Sequence, residues 1–167
     1  MALPVDHVEP TAAPPGEPLT ASRLLEMPPA ELDALFRRSP AGPIPQGRGR
    51  GTIIALPGTE VAKPLNAVLG PVFWQGKVFH PETHDLRNLV SPFGVEAVRA
   101  EVSTATSWVD GRECVLLDYS RSSRVAGWIR DEIREVAPGL YLGVVWGVGR
   151  FFGGRRRILR FALTFPA

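Results

Sequence analysis

The chain has 167 residues, 44% of them hydrophobic and 22% charged, with a formal net charge of +2. That length and balance suit one globular domain with its own core, and so small a charge excess excludes a need for nucleic acid as partner. A single cysteine, Cys114, excludes an intramolecular disulfide and points to a reduced, cytoplasmic setting, while the lack of a signal-peptide pattern or of an apolar run near roughly 20 residues argues against export and membrane spanning.

Residues 1–19 carry Pro10, Pro14, Pro15 and Pro18 and almost no hydrophobic pattern, so a flexible Pro-rich tail is expected there. From Ser22 the spacing turns helical. Leu24 and Leu25 precede Pro28-Pro29 as a helix start; Leu32, Leu35 and Phe36 follow at i, i+3, i+4, and Arg37-Arg38 with Ser39-Pro40 close the element. Such a helix has one apolar stripe and should plug or flank something. The Gly/Pro/Arg segment 41–51 leads into a first strand over 52–56. Gly47, Gly49 and Gly51 read as relief of crowding in a tightly curved sheet, because a phosphate-cradling loop would be followed by a helix. Residues 59–69 are predicted as a short helix placed where a lid could form, and 72–80 and 86–91 as strands joined by the turn 81–85.

Gly94 opens a long strand that runs into the strongest local signal in the chain. Val102 to Val109, Asp110-Gly111 and Arg112 to Tyr119 read as a β-hairpin. A two-residue turn would set Trp108 opposite Glu113, Thr106 opposite Val115, Thr104 opposite Leu117 and Val102 opposite Tyr119, all on one apolar face. Glu101, Ser103, Ser107, Cys114 and Asp118 would share the other. Ser122-Ser123 is expected to cap a short helix with Val125, Trp128 and Ile129 on one side.

The next pair of strands, 131–136 and 140–146, flanks Ala137-Pro138-Gly139. The second is apolar on both faces and the first is mostly charged. Period-2 alternation puts either Glu132 and Arg134, or Asp131 and Glu135, inward, and turns of two and three residues give opposite answers. Arg157, Leu159, Phe161, Leu163 and Phe165 alternate with Ile158, Arg160, Ala162 and Thr164, which marks a closing strand with a clear inner face. About eight strands, mostly joined by short turns, with helices only at the start and in two connections, favour a mainly β fold: an eight-stranded antiparallel lipocalin-like (calycin-type) barrel with short flanking helices, forming one domain over residues 20–167.

The stretch Trp74-Gln75-Gly76-Lys77-Val78-Phe79-His80-Pro81-Glu82 resembles small bacterial proteins of unassigned function named for a GxWxG motif. Pro29-Ala30-Glu31-Leu32, Ile44-Pro45-Gln46-Gly47, Leu117-Asp118-Tyr119 and the segment from Glu135-Val136 through Leu142-Gly143 occur in a comparable order, a coverage of residues 27–165. Gly49-Arg50-Gly51 is the nearest thing to the signature itself. The resemblance implies a lipocalin-like barrel that binds lipid or another apolar molecule.

His80 and His84 have metal-ligand spacing only on a helix, and Pro81 between them makes a turn; no metal or other cofactor is expected. There is no nucleophile elbow. Gly154-Arg155-Arg156-Arg157 reads as an exposed hairpin loop, and Cys114 as a small packed residue. The aromatics are the better lead. Trp74, Phe79, Trp108, Tyr119 and Trp128, then Tyr141, Trp146 and Phe161, fall on strands or the bridging segment and would line whatever space a closed barrel leaves. The expected function is therefore binding of a small apolar, acidic molecule, such as a lipid, fatty acid or hydrophobic metabolite, with Arg134, in the register that turns it inward, pairing its carboxylate. The alternative is a barrel-fold isomerase, cyclase or dehydratase acting on a hydrophobic intermediate, with His80, Asp118, Tyr119 or Glu132 as acid/base groups.

Overall fold

The computed structural model describes residues 17–54, 74–90 and 93–166. Eight antiparallel strands in sequence order close into a barrel: β1 Gly47–Ile54, β2 Trp74–His80, β3 Asp85–Val90, β4 Val95–Thr106, β5 Glu113–Asp118, β6 Ile129–Ala137, β7 Leu140–Gly149 and β8 Gly154–Thr164. Two short helices, α1 Ala21–Glu26 and α2 Pro29–Arg38, precede them. The fold is thus the mainly β, closed eight-stranded antiparallel architecture that the strand count implied. The predicted helix at 59–69 and the tail at 1–16 lie outside the described residues.

The inner face is set by period-2 alternation carried from strand to strand. Val115 lies opposite Ile133, Leu117 opposite Asp131, Ile133 opposite Gly143 and Gly143 opposite Phe161. Val115, Leu117, Ile133 and Phe161, with Phe79, Leu86, Val102 and Leu163, belong to the barrel core. β1 comes close because its inward residues are glycines: a Cβ on Gly51 would sit 2.5 Å from the Trp74 ring, and one on Gly49 2.5 Å from Phe165. The alternating glycines are thus crowding relief, as their pattern suggested, and β1 starts five residues before the expected strand at 52.

Outside, α1 and α2 lay Leu24, Leu32, Leu35 and Phe36 over Leu140, Leu142, Val144 and Ala162. That second core explains why β7 is apolar on both faces: the barrel covers one and the helices cover the other. Thr20 accepts the Arg23 N–H to start α1. Asp33 on α2 then accepts from Arg157 and Arg160 of β8, each at 2.6 Å, which fixes the helix on that wall.

Three sequence expectations are corrected. The β4–β5 connection is longer than two residues, so Thr106, not Trp108, faces Glu113 and Val102 faces Leu117; a slip of two residues leaves the faces unchanged. Residues 119–128 form successive turns rather than a helix, with Ser123 Oγ accepting the Ala126 N–H locally. Arg134 does not face inward. Pro138-Gly139 is a two-residue turn, but the register shifts between Glu135 and Ala137, and Asp131 becomes the inward acidic residue of β6.

The outward charges of β6 are satisfied by the folded-back loop 107–112. Arg134 is fully buried and donates to both Asp110 oxygens at 2.7 Å, to Glu113 O and Phe36 O at 3.0 Å, and stacks over the Phe36 ring. Glu132 accepts from Ser107 Oγ at 2.6 Å and from the Trp108 N–H at 2.9 Å. Hydrogen bonds from Arg134, working against burial, hold the Asp110 carboxyl at about 2, below its ordinary 3.8. A folded value below the unfolded one means stability present above pH 4 and lost as pH falls from about 4 to about 2. Arg134→Met should lower unfolding free energy by about 3 kcal/mol at pH 7. It should also remove an acid slope worth on the order of 1–2 kcal/mol between pH 4 and pH 2. Urea titrations of both proteins across that window check this; an unchanged acid slope in the variant would rule Asp110 out as its carrier.

Candidate functional site

Inside the barrel, a polar cluster of Lys77, Asn88, Tyr119 and Asp131 interrupts the apolar core. All four are buried. Register brings them together: Lys77 pairs with Asn88 across β2 and β3, and with Gly49 on its other side, where no side chain competes for the space. Asp131 lies opposite Leu117 on β5, and Tyr119 follows that strand directly. A shift in pairing between Trp74 and Gly76 lets Trp74 and Lys77 both point inward despite their odd spacing. Gly76 has φ +140, and a Cβ there would collide with the Gly49 carbonyl oxygen, so the irregularity requires glycine.

The hydrogen bonds nearly exhaust the donors. Lys77 Nζ donates to Asn88 Oδ1 at 2.9 Å, Tyr119 Oη at 2.5 Å and Asp131 Oδ2 at 3.0 Å, which uses all three ammonium protons. Asn88 Nδ2 donates to Val98 O at 2.8 Å and to Tyr119 Oη at 3.0 Å, and Asn88 Oδ1 also accepts from Trp74 Nε1 at 3.0 Å. Asp131 Oδ1 is buried and has no partner among the described residues. Rings of Trp74, Tyr119 and Phe161 surround the ammonium with centroids 5.4, 5.2 and 5.2 Å away.

Burial alone would pull the Lys77 ammonium down; the charges and hydrogen bonds of Tyr119 and Asp131 outweigh it and hold it above the ordinary 10.5. Burial pushes the Asp131 carboxyl up against the opposing pull of Lys77, and pushes the Tyr119 phenol up to about 12. Because the folded Lys77 value exceeds the unfolded one, its contribution to stability is complete below pH 10.5 and is lost as pH rises through the folded value.

Beside the cluster lies a cavity of about 40 Å³. Its walls are mostly apolar and include Trp74, Val98, Ala126, Val145 and Phe161; Lys77, Asn88, Tyr119 and Asp131 also line it, and Ile53, 45% exposed, marks its approach to the barrel end. Val98 is the extra residue where Asn88 pairs with Ala97 and Arg87 with Arg99, and it has φ 52. Left-handed backbone is costly for a β-branched residue, on the order of 1–3 kcal/mol, and such strain concentrates at functional sites.

Of the residues singled out in the sequence, Trp74, Tyr119 and Phe161 line this cavity. Phe79 and Tyr141 point inward but pack on Phe165, with ring centroids 5.7 Å apart in each pair, and Tyr141 Oη donates to Pro43 O. Trp128 stacks on Phe152 at 5.3 Å, against the edge of the core. Trp108 and Trp146 meet edge to face on the outside of the barrel, beneath the guanidinium groups of Arg130, Arg155 and Arg157. Arg134 lies outside too, already paired with Asp110, and cannot reach an interior ligand.

The proposed acid/base set is scattered. His80 sits at the surface beside Glu96 and Glu82, Asp118 accepts the Ser120 N–H in a turn, and Glu132 faces outward under loop 107–112. Lys77, Asn88 and Asp131 were not selected from sequence. Lys77 shares inner parity with Phe79, and Asn88 with Leu86, so alternation already held the signal. Among the described residues no group of three or more His, Cys, Asp or Glu is placed to hold a metal ion.

No protein-family model matches the sequence, and no curated protein does. Among solved structures the chain is similar to a protein from Thermomonospora curvata described only as such, with 23% identity, a TM-score of 0.60, and coverage of 85% of this chain and 90% of that one. At that identity the likeness establishes the fold alone.

Removing one partner of a buried ion pair strands the other's charge. Lys77→Met should therefore cost about 3–5 kcal/mol, and the double change Lys77→Met with Asp131→Leu should recover most of it. Chemical denaturation of the two single variants and the double variant checks this cycle. Additive losses would mean that the two charges do not depend on each other.

Proposed function

We propose that the barrel is a binding module for a small, largely apolar molecule, held with its polar end against Lys77, Asn88, Tyr119 and Asp131 and its apolar part against Trp74, Val98 and Phe161. The observation that carries this reading is the pairing of an apolar cavity with a buried carboxylate oxygen that accepts no hydrogen bond from the described residues. A purely structural core would be expected to fill that space and satisfy that oxygen. The resemblance of residues 74–82 to the GxWxG-named barrels supports the same reading. In it the protein acts in the cytoplasm, where Cys114, buried and with its thiol pushed up to about 12 by burial, stays inert.

The cavity limits the ligand. About 40 Å³ admits roughly three or four heavy atoms next to the cluster. At about 0.8 kcal/mol per methylene plus one hydrogen bond to a charged group, that part of the ligand contributes on the order of 4–5 kcal/mol, near millimolar affinity. A tighter ligand would extend past Ile53 toward the barrel end. A long fatty chain wholly enclosed within the described walls does not fit. The enzyme reading is the weaker one, because Tyr119 is the only one of its four candidate groups at the cavity.

Xenon tests whether the interior accepts an apolar guest. Under a few atmospheres of xenon, the Trp74 indole N–H signal should shift saturably while those of Trp108 and Trp146 stay in place. Ala126→Phe, which fills the cavity, should abolish the shift. If the wild-type Trp74 signal does not respond, the interior is closed to guests and the binding reading fails.

A further inference from the structure

Charge and hydrogen-bond valence inside the barrel restrict what the site can take. Among the described residues, the interior holds one ammonium, Lys77, and one carboxylate, Asp131, 3.0 Å apart and each almost fully buried. A ligand carboxylate or phosphate would add a second negative charge with no free interior cation among the described residues to meet it: all three Lys77 protons are committed, and Arg134 is paired with Asp110 outside the barrel. A ligand ammonium would face the opposite difficulty, since the ring of Trp74, Tyr119 and Phe161 that would favour a cation already surrounds Lys77. An unpaired charge in such a place is costly by several kcal/mol.

The open valence is equally specific. Both Asn88 amide hydrogens are used, by Val98 O and Tyr119 Oη; Asn88 Oδ1 accepts from Trp74 and Lys77, and Tyr119 Oη accepts from Lys77 and Asn88. Tyr119 Oη lies 3.4 Å from both Asn88 Oδ1 and Asp131 Oδ2, so its hydroxyl donates to one of these two acceptors. What remains among the described residues is Asp131 Oδ1, an acceptor on a residue that lines the cavity.

Resting on the binding reading above, we infer that the ligand is electrically neutral and ends in a hydroxyl or N–H group that donates to Asp131 Oδ1. Alcohols, phenols and primary or secondary amides belong to this class; carboxylic acids at neutral pH, phosphates and amines that carry a proton do not. The expectation of an acidic ligand rested on an inward Arg134, and its premise disappears with that residue's position outside the barrel.

Four small probes, propanoate with five heavy atoms and the others with four, separate the possibilities: 1-propanol, ethyl methyl ether, propanoate and propylammonium, each titrated into the full chain at pH 7 and 4 °C with the Trp74 indole N–H as reporter. 1-Propanol should bind about tenfold or more tightly than the ether, which has the same shape without the donor. Propanoate and propylammonium should produce no saturable shift. In Asp131→Asn, where Lys77 loses its counter-charge, preference should pass from 1-propanol to propanoate; should that variant not fold, the four wild-type titrations decide alone. Equal affinity for the ether and 1-propanol overturns the donor requirement. Propanoate or propylammonium binding as well as 1-propanol overturns neutrality. Failure of all four while xenon still shifts Trp74 overturns this inference and leaves the apolar cavity reading intact, whereas failure of xenon as well removes both.

Discussion

A lysine ammonium inside a β-barrel is tolerable only where acceptors are fixed around it, and that constraint organises the interior. Lys77 is held by three acceptors from three other segments, Asn88 on β3, Tyr119 after β5 and Asp131 on β6. None can be lost without leaving a charge or a polar atom unsatisfied in low dielectric. The irregularities of the sheet serve this arrangement. The shift at Trp74 and Gly76 lets Lys77 and Trp74 share one face, and Val98, the extra residue of β4, offers its carbonyl to Asn88. Strain at Val98 and crowding at Gly76 accompany a geometry in which every donor of Lys77 and Asn88 has a partner.

The outside of the barrel solves a separate problem with different means. β7 is buried on both faces, so its outer side needs an apolar cover, which α1 and α2 supply through Leu24, Leu32, Leu35 and Phe36. β6 needs partners for charge, and loop 107–112 supplies Asp110, Ser107 and the Trp108 N–H. The wall that looks least suited to a barrel, a charged strand beside a wholly apolar one, is therefore the wall with the most built onto it.

Much of the fold was legible because its signals are local. The strand count, the glycine-rich crowding of β1, the inner faces of β5 and β8 and the helix carrying Leu32, Leu35 and Phe36 all follow from alternation or helical spacing over a few residues. Errors arose where a single extra residue changes parity. The shift between Glu135 and Ala137 moves Asp131 inward and Arg134 outward, and no local propensity announces it. Trp146 misled for a different reason: an apolar residue on a strand buried on both sides gives no sign of which side it faces. Lys77 and Asn88 were within reach, on the parity of Phe79 and Leu86, but a lone lysine or asparagine in a strand is weighed as solvated until a buried partner is known. Pairing between strands distant in sequence supplies that partner.

The charge balance inside the barrel depends on Lys77 being a fully hydrogen-bonded ammonium paired with Asp131, and nitrogen NMR of the lysine side chain reads that state directly. In protein with ¹⁵N-labelled lysine at pH 7, Lys77 Nζ should appear as an ammonium with three slowly exchanging protons and should keep that signal above pH 10.5, where an ordinary lysine is losing its charge. A neutral amine at pH 7 would contradict the charge balance inside the barrel. It would leave in its place an uncharged, nucleophilic lysine beside the cavity, and with it a case for chemistry rather than binding.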